Sequence, residues 1–262
     1  MNYDFFISIV VFNPDIKILF NCISDLLGKK NIYISIFDNS KLLNVQKFCK
    51  NNNIKYLGNK KNVGFGKGHN ENIKIFNFEN KSKYIVIMNP DIFLKYYHLH
   101  KIIEVYSMKK NIGIVSPQLL NKDGSIQHSV RCFPGFFSFF ISFFGFYVNY
   151  SKKIKGLIQV PCLHGALYVL KPNVFFKIKG FDEQYFLYCE DIDLCSKTCN
   201  LGLKNIIHTG VQVTHLHQKE SHKNLLLFLI HIISVIKYLL KWRVGKYSKL
   251  DEANSSFLKN FK

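Results

Sequence analysis

Five carboxylates lie in one short stretch of a chain that is otherwise strongly basic. The stretch runs from Gly180 to Leu194, and its acids are Asp182, Glu183, Glu190, Asp191 and Asp193. The whole chain of 262 residues has 17 acidic residues against 36 lysines and arginines, a formal net charge of +19. A carboxylate can act as a general base or bind a metal ion, but acids in the first turn of a helix also complement its dipole. This stretch alone leaves both interpretations open.

Three further polar clusters each follow a segment whose composition predicts a strand. They are Asp38-Asn39-Ser40, the glycine-rich segment from Asn59 to Asn70, and Asn89-Pro90-Asp91. The carboxyl ends of parallel strands meet at one edge of a sheet, where α/β proteins bind their ligands. Asp91 stands on a stiff turn at such an end, which suits a metal ligand, although this motif taken alone favours an ordinary Asx-Pro turn. The coincidence of three clusters predicts a binding site at this edge.

The glycine-rich segment carries glycines at positions 64, 66 and 68. Glycine lets the backbone approach a ligand closely or adopt a positive φ, and it also marks plain flexible turns. The segment is not a Walker A loop, because no Gly-Lys-Ser/Thr ends it. It is not a dinucleotide fingerprint either, because it follows the third predicted strand rather than the first.

Apolar, β-rich runs alternate with helical patterns over the first half of the chain. Strands are predicted at Phe5–Phe12, Ile32–Phe37, Ile54–Leu57, Tyr84–Met88 and Ile112–Ser116. Apolar residues from Ile16 to Leu27 recur at helical spacing, and the glycine-rich segment opens a helix that continues to about Phe78. This alternation predicts an α/β domain with a mainly parallel central sheet and helices on both faces.

The second half supplies the elements around the acidic stretch. Val160–Leu170 is predicted as one strand in which Gly165-Ala166 marks a close backbone approach. A short helix begins at Pro172, and a second runs from about Glu190 to Asn200 and stops at Gly202. Two short strands are predicted at Leu203–Ile207 and Val211–Thr214, and the second leads into His215.

The segment Phe133–Tyr147 carries eight phenylalanines. It is too short and too interrupted for a bilayer span, which needs about 20 apolar residues. It is either an insertion into the core or a surface for lipid or an apolar acceptor tail, and we favour the surface because its aromatics exceed what one helix face needs.

The segment Asn224–Trp242 has one polar stripe, formed by His231, Ser234, Lys237 or Tyr238, and Lys241. Together with the basic residues that follow, this pattern is typical of an interfacial amphipathic helix. A helix docked on the domain shows the same periodicity. We therefore divide the chain into an α/β domain at 1–220 and a basic amphipathic C-terminal helix and tail at 221–262, which we expect to associate with a membrane.

The basic charge suggests an anionic partner: nucleic acid, a membrane surface or a phosphorylated substrate. A nucleic-acid-binding protein would cluster its lysines with exposed aromatics on one face, whereas here glycines and acids mark the strand ends, so we expect no nucleic acid partner. The seven cysteines lack paired Cys-x-x-Cys spacing and are interpreted as reduced thiols. Phe5–Phe12 has no basic segment before it and reads as a buried strand rather than a signal peptide. We expect a cytoplasmic protein.

Taken together, the motifs resemble glycosyltransferase family 2, and within it the bacterial rhamnosyltransferases of O-antigen and cell-wall assembly. The resemblance covers about residues 5–220, with motifs that are weak singly and specific in order. The motifs are Asp38-Asn39-Ser40, Asn62-Val63-Gly64-Phe65-Gly66 with Asn70, Asn89-Pro90-Asp91, Gly165-Ala166, Gly180-Phe181-Asp182-Glu183, the run Phe186–Leu194 and His215.

The resemblance implies a GT-A fold, an inverting mechanism, and a nucleotide-sugar donor held with Mg²⁺ or Mn²⁺. By position, Asp38 would bind the donor base, Asp91 would bind the metal with His215 as a further contact, and Asp191 of the Glu190-Asp191 pair would be the catalytic base. The remaining donor-side residues would be Asn39, Asn62, Gly64, Gly66, Asn70 and Asn89. The acceptor-side residues would be Gly165, Asp182, Glu183 and Tyr188.

One departure from the family pattern concerns the metal. The Asp-x-Asp motif of the family reads Asn89-Pro90-Asp91 here, so one usual carboxylate is replaced by an amide. The chemistry still calls for these residue types, because the departing diphosphate carries negative charge that a hard cation on oxygen ligands neutralises. The best match is transfer of L-rhamnose from dTDP-L-rhamnose to a lipid-linked or polysaccharide acceptor at the inner face of the cell membrane. Another hexosyl donor, such as UDP-Gal, UDP-Glc or UDP-GlcNAc, is the alternative.

Overall fold

The computed structural model describes residues 3–40, 43–58, 61–76, 82–135, 149–216, 225–242 and 248–261. Within these ranges the strands are β1 (Tyr3–Val11), β2 (Ile32–Asp38), β3 (Lys55–Gly58), β4 (Ser82–Met88), β5 (Ile92–Phe93), β6 (Ile112–Leu120), β7 (Val130–Arg131), β8 (Leu157–Val160), β9 (Cys162–Leu163), β10 (Leu167–Leu170) and β11 (Lys204–His215). The helices are α1 (Ile16–Ile23), α2 (Leu43–Asn51), α3 (Phe65–Ile75), α4 (Tyr96–Met108), α5 (Pro172–Lys177), α6 (Glu190–Asn200), α7 (Leu225–Trp242) and α8 (Ser248–Leu258). Short 3-10 turns lie at Ser24–Leu26, Tyr150–Lys152 and Lys259–Phe261.

The central sheet has the strand order β3-β2-β1-β4-β10-β6-β11-β5, with β8 paired to β11. Strands β3, β2, β1 and β4 are parallel to one another. Strand β10 lies between β4 and β6 and is antiparallel to both, whereas β6 and β11 are parallel. The parallel half agrees with the prediction, and the antiparallel insertion of β10 makes the other half mixed. A small second sheet pairs β7 with β9.

Two hydrophobic clusters cover the two faces of the central sheet. Residues of α1, α2 and α4 pack on one face, with Leu19, Phe48 and Ile102 among the buried side chains. The other face is covered by α5, α6, α7 and α8, where Tyr185 and Tyr238 are buried. Alternate residues of β1 divide between the clusters: Phe5 and Ile7 belong to the first and Phe6 to the second. A strand buried on both faces explains why Phe5–Phe12 reads as a continuous apolar run.

Two predictions about the strands of the second half are wrong. Val160–Leu170 is not one strand: β8 ends before Pro161, which has no N–H for a ladder, and Gly165-Ala166 lies in the turn before β10. The two short strands predicted after the acidic stretch form one strand, β11, with a register irregularity between His208 and Gln212. The polar residues 208–210, which separate the two predicted strands, therefore form a bulge within β11 rather than the end of a strand.

The polar stripe of α7 faces the protein. Buried positions of α7 include Ser234 and Tyr238, whereas Leu229, Ile233 and Ile236 are exposed. Among the described residues, α7 is the one helix whose length and composition would allow it to cross a membrane. The predicted Phe-rich surface at 133–147 lies, beyond Gly135, outside the described residues.

Candidate active site at the carboxyl edge of the sheet

The strand register brings the predicted polar clusters to one edge of the sheet. Val11 at the end of β1 pairs with Asp38 at the end of β2, and Asp38 pairs with Gly58. Met88 at the end of β4 pairs with Leu167 at the start of the antiparallel strand β10. The residues after β2, β3 and β4 and before β10 therefore share this edge, as expected for the carboxyl ends of parallel strands.

Asp91 and His215 form the first contact pair of the site. Asp91 Oδ1 lies 3.3 Å from His215 Nε2, and the backbone N–H of Leu216 donates to the Asp91 carbonyl. Strands β5 and β11 cause this approach, because their antiparallel pairing sets His215 opposite Ile92. The Asn89 amide nitrogen, Nδ2, lies 3.5 Å from the same imidazole nitrogen, Nε2 of His215.

Gln127 fixes the orientation of the His215 ring. Its side-chain amide N–H donates to the His215 carbonyl at 2.8 Å, so its amide oxygen is the atom that faces His215 Nδ1, at 3.0 Å. An oxygen can only accept, and Nδ1 therefore carries the proton of the neutral ring. The lone pair of a neutral ring then lies on Nε2 and points to Asp91, the arrangement that orients metal-binding histidines in proteins.

These residues fit a divalent cation of the kind that the family resemblance implies. Two ligands at right angles on an octahedral ion lie about 3.0 Å apart when each bond is about 2.1 Å, close to the separation in the Asp91–His215 pair. Asn89 Oδ1 is buried without a hydrogen-bond partner in the described part of the chain. No group of three or more His, Cys, Asp or Glu side chains suited to a metal occurs among those residues. A cation here would depend on substrate phosphates and water for its other ligands, as Mg²⁺ commonly does.

Asp191 lies at the first turn of α6 and is held by three donors. Arg131 on β7 forms an ion pair with its Oδ2, the Gly165 N–H donates to the same oxygen at 3.2 Å, and the Ile192 N–H donates to Oδ1 at 2.7 Å. Gly165 must be glycine for this approach, because a Cβ there would lie 2.8 Å from the Cβ of Asp191. The sequence-based expectation of a close backbone approach at Gly165 therefore agrees with the structure.

A chain of contacts joins the two halves of the site. The Asn89 N–H donates to the Ala166 carbonyl at 2.8 Å, and the neighbouring Gly165 N–H reaches Asp191. Asp91 and His215 are thus connected to Asp191 through Asn89 and a single turn. The carboxylates of Asp91 and Asp191 and the imidazole of His215, which are distant in sequence, therefore lie along the same edge of the sheet.

Glu190, the neighbour of Asp191, has a different electrostatic environment. Burial first, and then the adjacent Asp191 charge, raise the Glu190 pKa from 4.5 to about 8. Its Oε2 atom is buried and has no hydrogen-bond partner within the ranges that the structure describes. At neutral pH Glu190 is therefore mainly protonated.

The predicted donor-side residues form one hydrogen-bonded turn system. Asp38 accepts from the Ser40 N–H at 2.7 Å and from the Tyr56 hydroxyl at 3.3 Å. Asn39 accepts from the Val63 N–H and donates to the Gly64 carbonyl, which ties the end of β2 to the glycine-rich segment. The Asn62 side chain accepts from the Gly64 N–H at 2.9 Å.

The glycines of this segment lie against the acidic stretch. Gly64 has φ +91°, and a Cβ there would lie 2.2 Å from the carbonyl oxygen of Phe186. A Cβ at Gly66 would lie 2.9 Å from the Phe181 side chain. Here glycine serves close packing between two loops, and only glycine adopts this φ without strain.

The Asn70 amide and the remaining acids of the stretch bond neighbouring segments of the chain. The Asn70 amide bonds both the N–H and the carbonyl of Phe181 and also reaches Glu183, which pairs with Lys67 at 2.9 Å. Asp182 pairs with Lys241 of α7 at 2.6 Å. Asp193 pairs with Lys197, four residues later on the same helix, at 3.4 Å, and it also accepts from Lys241 and Trp242. The Tyr188 ring lies beside the His231 ring of α7, with 4.8 Å between the ring centroids and 42° between the ring planes.

Sequence analysis did not identify Arg131 or Gln127. Arg131 stands in a strand of two residues, too short for any periodicity, and Gln127 lies in the irregular segment between β6 and β7. The available signal was that Arg131 is one of only two arginines among the 36 basic residues of the chain, and that it lies two residues before the Phe-rich segment.

Comparisons with known proteins give relatives but no family model that matches the chain. Rhamnosyltransferase WbbL of Escherichia coli K12 is 29% identical over 74% of this chain and 77% of its own length. The hexosyltransferase Agl10 of low-salt glycan biosynthesis in Haloferax volcanii is 25% identical over 72% of this chain and 60% of its own. An N-acetylglucosaminyl-diphospho-decaprenol L-rhamnosyltransferase of Mycobacterium tuberculosis is 24% identical over 53% of this chain and 48% of its own. The chain thus spans only part of each relative.

Solved structures agree in fold. GalNAc-T7 with UDP, GalNAc and Mn²⁺ has a TM-score of 0.63 at 13% identity and covers 84% of this chain and 44% of its own. A mannosyltransferase from Pyrobaculum calidifontis, in complex with GDP-Man and Mn²⁺, has a TM-score of 0.61 at 13% identity and covers 92% of this chain and 65% of its own. The chain therefore has the GT-A fold, and its resemblance to rhamnosyltransferases and related glycosyltransferases is confirmed.

Proposed function

We propose that this chain is a metal-dependent, inverting hexosyltransferase that moves L-rhamnose from dTDP-L-rhamnose to a polyprenyl-diphosphate-linked sugar. The observation that carries the proposal is the contact chain from Asp91 and His215 through Asn89 and Gly165 to Asp191. It sets a cation-binding pair and a fixed carboxylate on the same edge of a GT-A sheet. Two relatives with rhamnosyltransferase names support the sugar.

Asp191 is the catalytic base in this proposal. Inversion needs one base that takes the proton of the acceptor hydroxyl, with no covalent intermediate. Arg131 and the Gly165 N–H hold the Asp191 carboxylate in place. Glu190 is mainly protonated at neutral pH and so adds no second charge that would repel the acceptor side.

The donor side consists of the turns at Asp38 and Gly64 and of the Asn89–Asp91 turn. Asp38 would contact the donor base, and Asn39, Asn62, Gly64, Gly66 and Asn70 would shape the wall beside it. Asp91 and His215 would hold Mg²⁺ or Mn²⁺, with Asn89 beside them, and the bound ion would neutralise charge on the departing diphosphate. Both solved neighbours were determined with Mn²⁺.

The acceptor side is formed by Gly165, Asp182, Glu183 and Tyr188. We propose a lipid-linked or polysaccharide acceptor in the synthesis of O-antigen, capsule or another cell-surface polysaccharide. The mycobacterial relative is named for a decaprenol-linked substrate, which supports the lipid-linked form. The enzyme would then work in the cytoplasm, peripherally on the inner face of the cell membrane, with the 221–262 tail as its membrane-associating part.

Another nucleotide-sugar donor is the second candidate. The haloarchaeal relative is named only as a hexosyltransferase, and the two solved neighbours contain UDP and GDP-Man. UDP-Gal, UDP-Glc and UDP-GlcNAc therefore belong in the same test.

The test is a panel of nucleotide-sugars measured with Mn²⁺ by thermal unfolding. A ligand that binds only the folded protein raises the free energy of unfolding, by about 2.7 kcal/mol when its concentration is 100 times its Kd. The melting temperature rises as a result. The expected result is the largest shift with dTDP-L-rhamnose, followed by transfer to a prenyl-diphosphate-sugar. A larger shift with a UDP-sugar would select the second candidate, and no shift with any donor would refute both.

A further inference from the structure

Helix α7 holds the acidic stretch through its polar stripe. Ser234 donates to the Leu187 carbonyl at 2.8 Å, and Lys237 donates to the Gln184 carbonyl at 2.8 Å. Lys241 bonds Asp182 at 2.6 Å and Asp193 at 2.7 Å, and the Tyr238 hydroxyl bonds Ser196 at 2.8 Å. These contacts come from about two consecutive turns of the helix and join it to the segment that carries Glu190 and Asp191.

The opposite face of α7 is apolar and exposed. Its side chains recur at spacings of three and four residues and are 48–75% exposed: Leu225, Leu229, Ile233, Ile236 and Leu240. An exposed apolar strip of this length on one helix face marks an interaction surface.

The sequence around this face is basic. From Ser221 to Leu250 the chain contains six lysines and arginines and no acid. Of the three that the structure describes, Lys237 and Lys241 bond the acidic stretch, and Lys249, which donates to the Asn200 carbonyl, is exposed beyond the helix end. An apolar helix face in a basic segment is the pattern of helices that lie in the interface of an anionic bilayer.

We propose that the outward face of α7 lies in the headgroup region of an anionic membrane, with its axis in the membrane plane. A second copy of the chain is the less suitable occupant, because dimerisation would bring two such basic segments together. Binding of α7 to lipid does not depend on the sugar-transfer activity. Only the further step, in which the membrane delivers a lipid-linked acceptor to the site, rests on the proposed function.

This placement brings the acceptor side of the site close to the lipid. Tyr188 and Cys189 have φ values of 68° and 64°, a left-handed turn that leads into Glu190. The Ser234 bond to Leu187 and the ring of His231 beside Tyr188 hold this turn from the α7 side. Only the helix, about 10 Å across, separates the turn from the lipid surface, so a lipid-anchored sugar reaches the site without leaving the membrane.

The experiment is sedimentation of the full chain with vesicles of phosphatidylglycerol and phosphatidylethanolamine, and with vesicles of phosphatidylcholine alone. We expect binding to the anionic vesicles that weakens with added salt. Ile236→Glu should lower the partition coefficient at least about tenfold, because a carboxylate replaces an apolar side chain at the lipid face. Met108→Glu is the matched control, since Met108 is 64% exposed on α4, and it should stay within about twofold of the wild type.

Equal loss of binding in Ile236→Glu and Met108→Glu would overturn the proposal, as would binding that Ile236→Glu leaves unchanged. A dimer in light scattering that Ile236→Glu converts to a monomer, without vesicle binding, would assign the face to a second copy. Retention in the vesicles after an alkaline carbonate wash would show a spanning helix instead. Vesicle sedimentation uses no nucleotide-sugar donor and measures no sugar transfer, so its result is independent of the proposed enzyme activity.

Discussion

Glu190 and Asp191 are adjacent in sequence but have opposite surroundings. Asp191 accepts hydrogen bonds from two backbone N–H groups and pairs with Arg131. Glu190 is buried beside that charge, and one of its oxygens has no partner in the described part of the chain. Adjacent carboxyl groups with different surroundings take different roles in many enzyme sites, and we propose that Asp191 is the base here while Glu190 stays mainly protonated.

Replacement of Asp191 tests its role as the base. Asp191→Asn keeps the size of the side chain but removes its ability to take a proton, so kcat should fall about 10²–10⁴-fold. Donor affinity, measured by calorimetry, should stay nearly unchanged. Asp4→Asn is the control, because Asp4 belongs to β1 near its amino end, away from the site edge. Full transfer activity in Asp191→Asn would remove Asp191 from this role.

The raised pKa of Glu190 predicts a pH dependence of stability. The folded state holds the Glu190 proton up to about pH 8, whereas the ordinary pKa is 4.5. The stabilisation is therefore fully present below pH 4.5 and is lost as the pH rises through about 8. Glu190→Gln should flatten the fall of the melting temperature between about pH 5 and about pH 9 and should be the more stable protein at the upper end.

The same pH series on Glu104→Gln provides the comparison, since Glu104 is an exposed carboxylate on α4. That variant should follow the wild-type curve. Parallel curves for Glu190→Gln and the wild type would show that Glu190 titrates normally in the folded protein.

Gln127 should influence metal binding without touching the metal. Gln127→Leu removes the acceptor of the His215 Nδ1 proton, and loss of such an orienting partner costs about 10–100-fold in metal affinity. Mn²⁺ binding in the presence of dTDP, followed by electron paramagnetic resonance, measures this directly. Gln212→Leu, an exposed position on β11, should bind Mn²⁺ like the wild type. Unchanged affinity in Gln127→Leu would argue against His215 as a metal contact.

At the scale of elements, α7 acts as a brace for the loop that precedes α6. Its contacts converge on Lys241, which bonds the two carboxylates of Asp182 and Asp193. Burial lowers the Lys241 pKa, but the hydrogen bonds to these two acids outweigh it, so the pKa is raised and the amine stays charged. Asp193 is 0% exposed and therefore depends on such partners.

Replacement of Lys241 should destabilise the protein. Lys241→Met leaves the buried Asp193 with a weaker set of partners, and breaking a buried ion pair costs about 3 kcal/mol. The melting temperature should fall by about 2–4 °C for each kcal/mol at this chain length. Lys237→Met is the matched control one turn earlier, because Lys237 bonds only a carbonyl group among its described contacts. Equal effects of the two variants would show that the ion pairs of Lys241 add little.

At the scale of the whole molecule, one sheet edge collects residues from both halves of the chain. Asp91 and Asp191 are a hundred positions apart, and β10 connects them because it inserts between β4 and β6. Its antiparallel direction puts the Gly165-Ala166 turn at the carboxyl end of β4. The sheet thus brings the Asn89–Asp91 turn, which we propose binds a cation, and the acid-bearing start of α6 to opposite sides of the Gly165-Ala166 turn.

Removal of divalent ions should affect the molecule as a whole. Treatment with EDTA should stop transfer and abolish the donor-dependent rise in melting temperature, because the donor diphosphate would lose its cation. Added Mn²⁺ should restore both signals. Transfer that persists without any divalent ion would overturn the assignment of Asp91.

Local patterns predicted the parallel half of the sheet and the polar residues at its edge. Phe5–Phe12 and Tyr84–Met88 are apolar runs closed by turn residues, so their strands and the positions of Asn89 and Asp91 follow from short-range signals. The position of β10 does not follow from short-range signals, because the pairing of this four-residue strand with β4 and β6 depends on contacts between residues distant in sequence. The inward direction of the α7 polar stripe likewise depends on acids about fifty residues earlier, which periodicity does not reveal.

The shared hydrophobic cluster under α7 and α8 has a practical consequence for anyone who shortens this chain. Val235, Tyr238, Trp242, Leu250 and Phe257 are buried in the same cluster as Tyr185 and Cys195. A recombinant fragment that stopped at residue 220 would present that cluster to solvent and should precipitate or be degraded during expression. We therefore expect the smallest fragment that stays soluble to extend through Phe257, so crystallisation or display fragments should be cut after that residue.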